Sequence, residues 1–494
     1  MRRIVPSMLS LLVAVFAIWC RSNAEASCTG ASPSWTSTPD QSSVSTCIAR
    51  ASNGDTIVLT AGTADWSGGG VTLNKSLAII GQGSGCPSTC DDATKIRVGS
   101  AMAFKVTASN WRISGITFEG AGNEYGSIEI NAGTNLRATN WRVDHCHFKD
   151  TIARGITVAS YASGLNYFRD IPGLIDNNRF SAPARNKAIE VYGHSETRHG
   201  SWDDPLILGG ESFAFIEDNH FVHATMPDGV SSIDGDTGAR MVIRFNTFIN
   251  GDVTAHGLEY NCADIQTSGY CQWRSTHGWE IYGNTFTYNT KHSFMLNLRG
   301  GTGVIHGNTF SGVAGSFRPV RYFYERGDAV RSCLTVGACQ GSSSYDGNQT
   351  GKSGYPCYQQ IGVTGSNGIT PMPVYQWFNS FNGSAVEASL SEITFEAGCN
   401  YQHVQFGRDV ILMGISDSGP HANIPATCTV GDAYWATDQG EWNKRKANPQ
   451  GVLYKCAAPN IWTLYYTPYS YPHPLQRASE LTPPPGPGGS LSVR

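Results

Sequence analysis

The chain of 494 residues is predicted to be all-β: a right-handed parallel β-helix, or solenoid, with a small disulfide-stapled C-terminal β module. Three observations predict it. A short Asn-x-Phe element recurs along the middle of the chain. Each copy is followed by a brief strand of alternating apolar residues. Glycine is frequent at 56 residues while charged residues make up only 15%, a composition suited to tight turns and short strands.

The repeat decides the architecture. Six segments look alike: Asp144-His-Cys-His-Phe148, Asp176-Asn-Asn-Arg-Phe180, Glu217-Asp-Asn-His-Phe221, Arg244-Phe-Asn-Thr-Phe248, Tyr282-Gly-Asn-Thr-Phe286 and His306-Gly-Asn-Thr-Phe310. A weaker copy, Gly115-Ile-Thr-Phe118, precedes them. Successive phenylalanines are 30, 32, 41, 27, 38 and 24 residues apart. The shortest step is close to one bare coil, and the longer steps carry loops. In strands such as Gly155-Ile-Thr-Val158 and Ala188-Ile-Glu-Val191, alternation puts the β-branched residues inside and their neighbours outside. The phenylalanines then stack in the core. Asn178, Asn219, Asn246, Asn284 and Asn308 fall at one turn and can form an amide ladder. A β-sandwich of hairpins is the alternative, but the irregular insertions and the lack of regular hairpin-turn dipeptides speak against it. About ten coils over residues 45 to 400 are expected.

The ends read differently. Arg2 and Arg3, an apolar run over residues 8 to 19 and Ala24-Glu-Ala26 compose a secretory signal peptide over residues 1–26. The run is too short for a membrane span, which takes about 20 apolar residues. No later segment is apolar enough to span either. Cys20 lacks the small preceding residues of a lipid-attachment site. An exported chain pairs its cysteines. Proximity selects Cys28–Cys47, Cys86–Cys90, Cys262–Cys271, Cys333–Cys339 and Cys428–Cys456, leaves Cys357 for Cys399, and makes Cys146 the odd, buried one. The compartment is extracellular or periplasmic. A net charge of −4 and the absence of a basic run argue against a nucleic-acid partner.

Asn53-Gly-Asp-Thr-Ile-Val-Leu-Thr60 and Val71-Thr-Leu-Asn-Lys-Ser-Leu-Ala-Ile-Ile-Gly-Gln-Gly83 resemble the opening coils of the pectate-lyase-like superfamily. With the Asn-x-Phe coils, the resemblance covers roughly residues 45 to 330. It implies a β-helix and leaves the chemistry open, since polysaccharide lyases, galacturonidase-type hydrolases, epimerases and phage tailspikes share the architecture. The β-helix is assigned to residues 27–425. An aromatic-rich module follows over 426–478, stapled by Cys428–Cys456, and caps or flanks the solenoid. Tyr471-Pro-His-Pro-Leu475 resembles the tail of many bacterial parallel β-helix proteins. Residues 479–494 form a disordered Pro/Gly tail.

Using each Phe as a ruler, the outward positions of the strand ten to twelve residues later are Asn131, Ala159, Tyr192, Asp234, Glu259, Asn297 and Arg321. The next outward row is Tyr161, His194, Asp236, Asn261, Arg299 and Phe323, with Glu190 one row back. Acidic groups therefore concentrate in the middle coils. Four carboxylates there need a cation, protonation, or pairing with Arg and His. Oxygen-only ligands favour calcium, at Asp234, Asp236 and Glu259. The candidate catalytic residues are Asp234, Asp236, Glu259, Arg299, Arg321 and His194. The candidate substrate-binding residues are Glu190, Tyr192, Trp202, His256, Trp273 and Asn297. Trp202 and Trp273 lie in the longest insertions, where loops can wall a groove. His256 reads as a structural histidine or as a general base. A solvated polar ladder is the plain alternative for the whole face.

Three functions are carried forward. The first is β-elimination of a uronic-acid polysaccharide by a monomeric enzyme. The resemblance implies a cation and a basic residue for it, with only a partial echo here and no diagnostic motif. The second is glycoside hydrolysis by paired carboxylates, although the Asn-Thr-Asp, paired-Asp and Gly-His-Gly pattern of galacturonidases is missing. The third is a rod-like carbohydrate-binding protein.

Overall fold

The computed structural model describes residues 27–477 apart from 121–124, 132–137, 152, 159–170, 183–186, 194–200, 225–230, 258–274, 291–293, 314–317, 324–354, 357–358, 385–390, 395–403 and 448, and apart from the side chains of 392–394. Three long sheets wind around one core. The first has 13 strands and the second and third have 10 each. Within a coil the chain visits the first, second and third sheet in turn, as in Gly173–Asp176, Arg179–Ala182 and Lys187–Tyr192. The next coil stacks in parallel register on the last, pairing Phe148 with Phe180 and Ile175 with Ile216. This is the expected parallel β-helix, and its parallel ladders rule out a sandwich of hairpins.

The apolar pattern builds the core as expected. Phe118, Phe148, Phe180, Phe221, Phe248, Phe286 and Phe310 form one continuous stack, with ring centroids 4.4–5.3 Å apart. The amide ladder is also present. Asn178 Nδ2 donates to Asn219 Oδ1 at 3.0 Å, and the pattern repeats through Asn246, Asn284 and Asn308. The ladder runs one rung further than expected, to Asn379 at 2.9 Å. Asn379-Ser-Phe381 is an eighth copy of the repeat, hidden in the sequence by the long stretch separating it from Phe310. At the other end Cys146 occupies the ladder position, buried and unbridged, and its backbone N–H donates to Asn178 Oδ1.

The residue before each rung turns the corner between first and second sheets with positive φ: His145, Asn177, Asp218, Phe245, Gly283, Gly307 and Phe378. Glycine at two of these positions removes the steric cost of that conformation. At Gly283 a Cβ would also approach the Phe245 ring to 2.6 Å.

Both ends of the described residues pack against the solenoid. Cys28–Ala31 and Ser34–Ser37 form an antiparallel hairpin, and a helix over Gln41–Arg50 inserts Val44, Cys47 and Ile48 into the core. Asp40 caps that helix by accepting from Ser43 N, and Cys28–Cys47 ties it to the hairpin. This helical cap was not expected from the sequence.

The C-terminal module is a four-stranded sheet over Ser418–Gly419, Ala433–Ala436, Val452–Ala458 and Ile461–Tyr466, stapled by Cys428–Cys456. It flanks the solenoid. Trp435, Leu453 and Tyr466 pack on Phe215, Val242, Val304 and Tyr375, which point outward from the first sheet. From Trp141–Asp144 to Val374–Trp377 the first sheet is buried on both faces, and its outward positions carry apolar residues together with charged groups such as Arg142, Glu217 and Arg244. The tail is pinned by Arg244, which is fully buried, pairs with Glu217 at 2.5 Å and donates to the Tyr469 and Ser470 carbonyls.

Among the described residues three disulfides form, Cys28–Cys47, Cys86–Cys90 and Cys428–Cys456. The other three expected pairs each include cysteines outside the described residues.

Candidate active site on the third sheet

The third sheet presents two outward rows. In the first, Thr157, Glu190, Asp234, Thr254, Asn297 and Arg321 are successive register partners. In the second, Tyr192 pairs with Asp236. His256 and Arg299 continue that row, one position beyond Ala255 and Leu298. Parallel strands lie about 4.8 Å apart, so consecutive members of a row touch.

This register corrects the sequence reading in two places. Glu190, not Tyr192, stands beside Asp234. The next coil contributes Val253–Ala255, so Thr254 and His256 occupy the places expected for Glu259 and Asn261. The Phe ruler failed there because Asn250-Gly-Asp252 turns at once into the third sheet, whereas earlier coils take longer turns. Glu259, His194 and Trp273 lie outside the described residues. Trp202 is fully buried, stacked on His277 at 4.1 Å, and donates to the Ser275 carbonyl at 2.8 Å. It packs the wall and offers no face to a sugar.

The acidic residues are not bare. Lys187 Nζ lies 2.6 Å from Asp234 and 2.9 Å from Glu190. Arg154, the register partner of Lys187, pairs with the other oxygen of Glu190. These two cations were missed. Their signal was present: Arg154 and Lys187 each open an alternating strand of the third sheet.

His256 Nε2 sits 2.8 Å from Asp234 Oδ1. On its far side, Arg299 Nη2 is 2.7 Å from Nδ1 and 3.0 Å from Nε2. One coil further, Arg321 donates to Asn297 Oδ1 at 2.9 Å, and its guanidinium lies over the Phe294 and Phe323 rings at 4.3 and 5.0 Å. Asp236 Oδ1 accepts from Thr237 N at 2.7 Å.

Electrostatics follow from these contacts. Glu190 and Asp234 are 1% and 2% exposed; for Asp234, burial alone would favour the neutral form. For Asp234 the charges of His256 and Lys187 win and hold it well below the usual carboxylate range. Burial would likewise lower His256, but Asp234 overrides it and pushes the imidazole up to about 10, with Arg299 opposing. Lys187 is raised against its burial by Asp234 and Glu190. Tyr192 is raised by burial and then by the charge of Glu190. The result is a line of groups, Asp234–His256–Arg299, with Lys187 behind it and Arg321 ahead.

Among the described residues no three His, Cys, Asp or Glu side chains converge as metal ligands. Asp234 already spends its oxygens on Lys187 and His256.

No family model and no curated protein matches the chain. Among solved structures it is similar to an alginate lyase from Paenibacillus sp. str. FPU-7, with 16% identity, coverage of 60% of this chain and 98% of that one, and a TM-score of 0.30. It is also similar to the PL6 family alginate lyase AlyGC, with 13% identity, coverage of 73% of this chain and 53% of that one, and a TM-score of 0.32. At these TM-scores neither likeness bears on the chemistry of the site.

Proposed function

We propose that this protein is an exported, monomeric polysaccharide lyase that cleaves a uronic-acid-containing polymer by β-elimination. One observation carries the reading: the Arg299 guanidinium lies 2.7 Å from Nδ1 of an imidazole whose Nε2 is held by Asp234. A guanidinium is a planar fork for carboxylates. The proton lost in β-elimination sits on the carbon next to the uronate carboxylate. A carboxylate gripped by Arg299 therefore brings that carbon to His256.

Asp234 accepts from Nε2–H and leaves the Nδ1 lone pair to Arg299; when the guanidinium turns onto the uronate carboxylate, that lone pair is released towards C5. Arg299, with Arg321 one coil on, neutralises the carboxylate and so acidifies the C5 proton. Nδ1 takes that proton and can return it to the C4 leaving oxygen when both lie on one side of the ring. Lys187 holds Asp234 ionised, and Lys187 and Arg154 hold Glu190 in place.

Hydrolysis fits less well. It needs one carboxyl that keeps its proton, and Asp234 is held far below that condition by Lys187 and His256. Calcium is a separate part of the proposal. Asp234, Asp236 and Glu259 would hold it, but Asp234 would first have to release Lys187 or His256, and no step here runs through the ion. The leader expected over residues 1–26 from the sequence and the disulfides support export.

Purified protein is to be incubated with pectate, alginate and glucuronan, following ultraviolet absorbance of the new double bond alongside reducing ends. Absorbance that is lost in His256→Gln and Arg299→Ala is the expected result. Reducing ends without absorbance would move the reading to a hydrolase, and no product from any polymer would leave a binding protein. If calcium binds the native state, chelator lowers the melting temperature; an unchanged transition removes the ion from the proposal.

A further inference from the structure

A second constellation lies on the outer face of the second sheet. His147 Nδ1 is 2.7 Å from Asp92 Oδ1, and His147 Nε2 is 2.7 Å from Ser181 Oγ. The three residues come from different coils. His147 and Ser181 flank Phe148 and Phe180 on adjacent strands, so the inward phenylalanines fix both outward directions. Asp92 ends the loop stapled by Cys86–Cys90, and Thr117 Oγ1 donates to its Oδ1 at 2.8 Å. Arg179 holds the tip of that loop through the Pro87 and Ser88 carbonyls at 3.2 and 3.0 Å. The group is reachable from solvent: the His147 and Asp92 side chains are 10% and 21% exposed, and Ser181 is half-buried.

We infer that Ser181, His147 and Asp92 form a nucleophilic triad that hydrolyses short-chain carboxylic esters, independently of the site on the third sheet. Each nitrogen of the imidazole faces a different partner, which is the arrangement a serine nucleophile requires. Burial, joined by Arg179 and Lys149, lowers the His147 pKa against the pull of Asp92 and keeps the ring neutral and basic. Asp92 stays ionised: its bonds to His147 and Thr117 outweigh burial.

In the reaction, His147 Nε2 takes the Ser181 proton as Oγ bonds to the acyl carbon. The ester C–O bond breaks and the alcohol leaves with that proton. Water then attacks the acyl-serine by the same route, releasing the acid. Lys149, the register partner of Ser181, pairs with Asp92 at 3.7 Å and Glu119 at 3.5 Å and helps to hold Asp92 ionised. The acyl group must be small, because the outward neighbours Thr117, Glu119, Lys149, Arg179 and His220 are polar and offer no apolar slot. The same polarity suits a hydroxyl-rich alcohol.

The test uses the full exported chain with p-nitrophenyl acetate and a fluorophosphonate probe, followed by peptide mapping. Wild type releases p-nitrophenol and is labelled at Ser181. Ser181→Ala abolishes labelling, and both Ser181→Ala and His147→Gln reduce turnover by about 100-fold or more. Unchanged melting temperatures show that the variants fold. Wild type without labelling or turnover, label on another residue, or turnover retained in Ser181→Ala would each overturn the inference and leave a structural hydrogen-bond network.

Discussion

Replacing Asp234 by asparagine isolates the electrostatic part of the third-sheet site. The amide keeps the shape of the side chain and removes its charge. In the native protein Asp234 Oδ1 is 2.8 Å from His256 Nε2. Burial alone would drive the imidazole down, yet this contact raises it from 6.5 to about 10. Without the charge, burial and the Arg299 guanidinium continue to pull downward. A close charge moves a pKa by about 1 to 3 units, so the midpoint in Asp234→Asn should fall by roughly 3, into the ordinary histidine range or below it. The sign for stability follows from linkage. A raised folded-state pKa contributes stability fully below the unfolded value of 6.5, and that stability is lost as pH climbs through about 10. The variant should lack this alkaline loss. In the proposed mechanism His256 acts in its deprotonated form, so polymer cleavage by wild type should rise with pH towards about 10, and the rise should move to lower pH in the variant. Histidine-selective isotope labelling with NMR titration reads the midpoint directly, with His256→Gln assigning the resonance, whatever the substrate. A His256 midpoint near 6.5 in native protein, or one unmoved by Asp234→Asn, would refute the reasoning.

Three further outcomes test the scaffold. Phe221→Ala opens a cavity in a ring stack with neighbours at 4.9 and 4.6 Å and should cost about 3–5 kcal/mol in denaturant unfolding. Asn246→Ala removes donors to the Ile216 carbonyl and to Asn284 and leaves buried backbone groups unsatisfied; a loss of about 2 kcal/mol or more is expected by the same measurement. Arg244→Met strands the buried Glu217 carboxylate and unpins the tail at Tyr469 and Ser470. It should cost about 3–5 kcal/mol and speed proteolysis of the C-terminal segment, with no faster cleavage counting against the pinning role.

The coil interior was legible because it is governed by short periods. Alternation selects which side chains enter the core, and one Phe and one Asn per coil must stack on their own kind. A strand position therefore announces itself locally, as Ile189 and Val191 do. The N-terminal cap was not legible, since the helix over Gln41–Arg50 is short and owes its place to the exposed end of the core and to Cys28–Cys47. Asn379 was missed because a long insertion broke the rhythm of the repeat.

The site was half legible for a related reason. Sequence placed Glu190, Asp234, Asp236, Arg299 and Arg321 on one face, because side-chain direction follows strand parity. Which residues stand beside one another depends on register, and register depends on how many residues each turn spends between the second and third sheets. Only the tertiary structure fixes that number. It replaced Tyr192 with Glu190 beside Asp234, put His256 between Asp234 and Arg299, and brought in Arg154 and Lys187. It also set Asp92, His147 and Ser181 in one hydrogen-bonded line, although they lie far apart in the chain. The sequence by itself determined the β-helix and the identity of its core, because burial of a repeated apolar pattern has one solution. The neighbours on its outer faces were left to the coil-to-coil stacking, because polar side chains outside the core carry no period of their own.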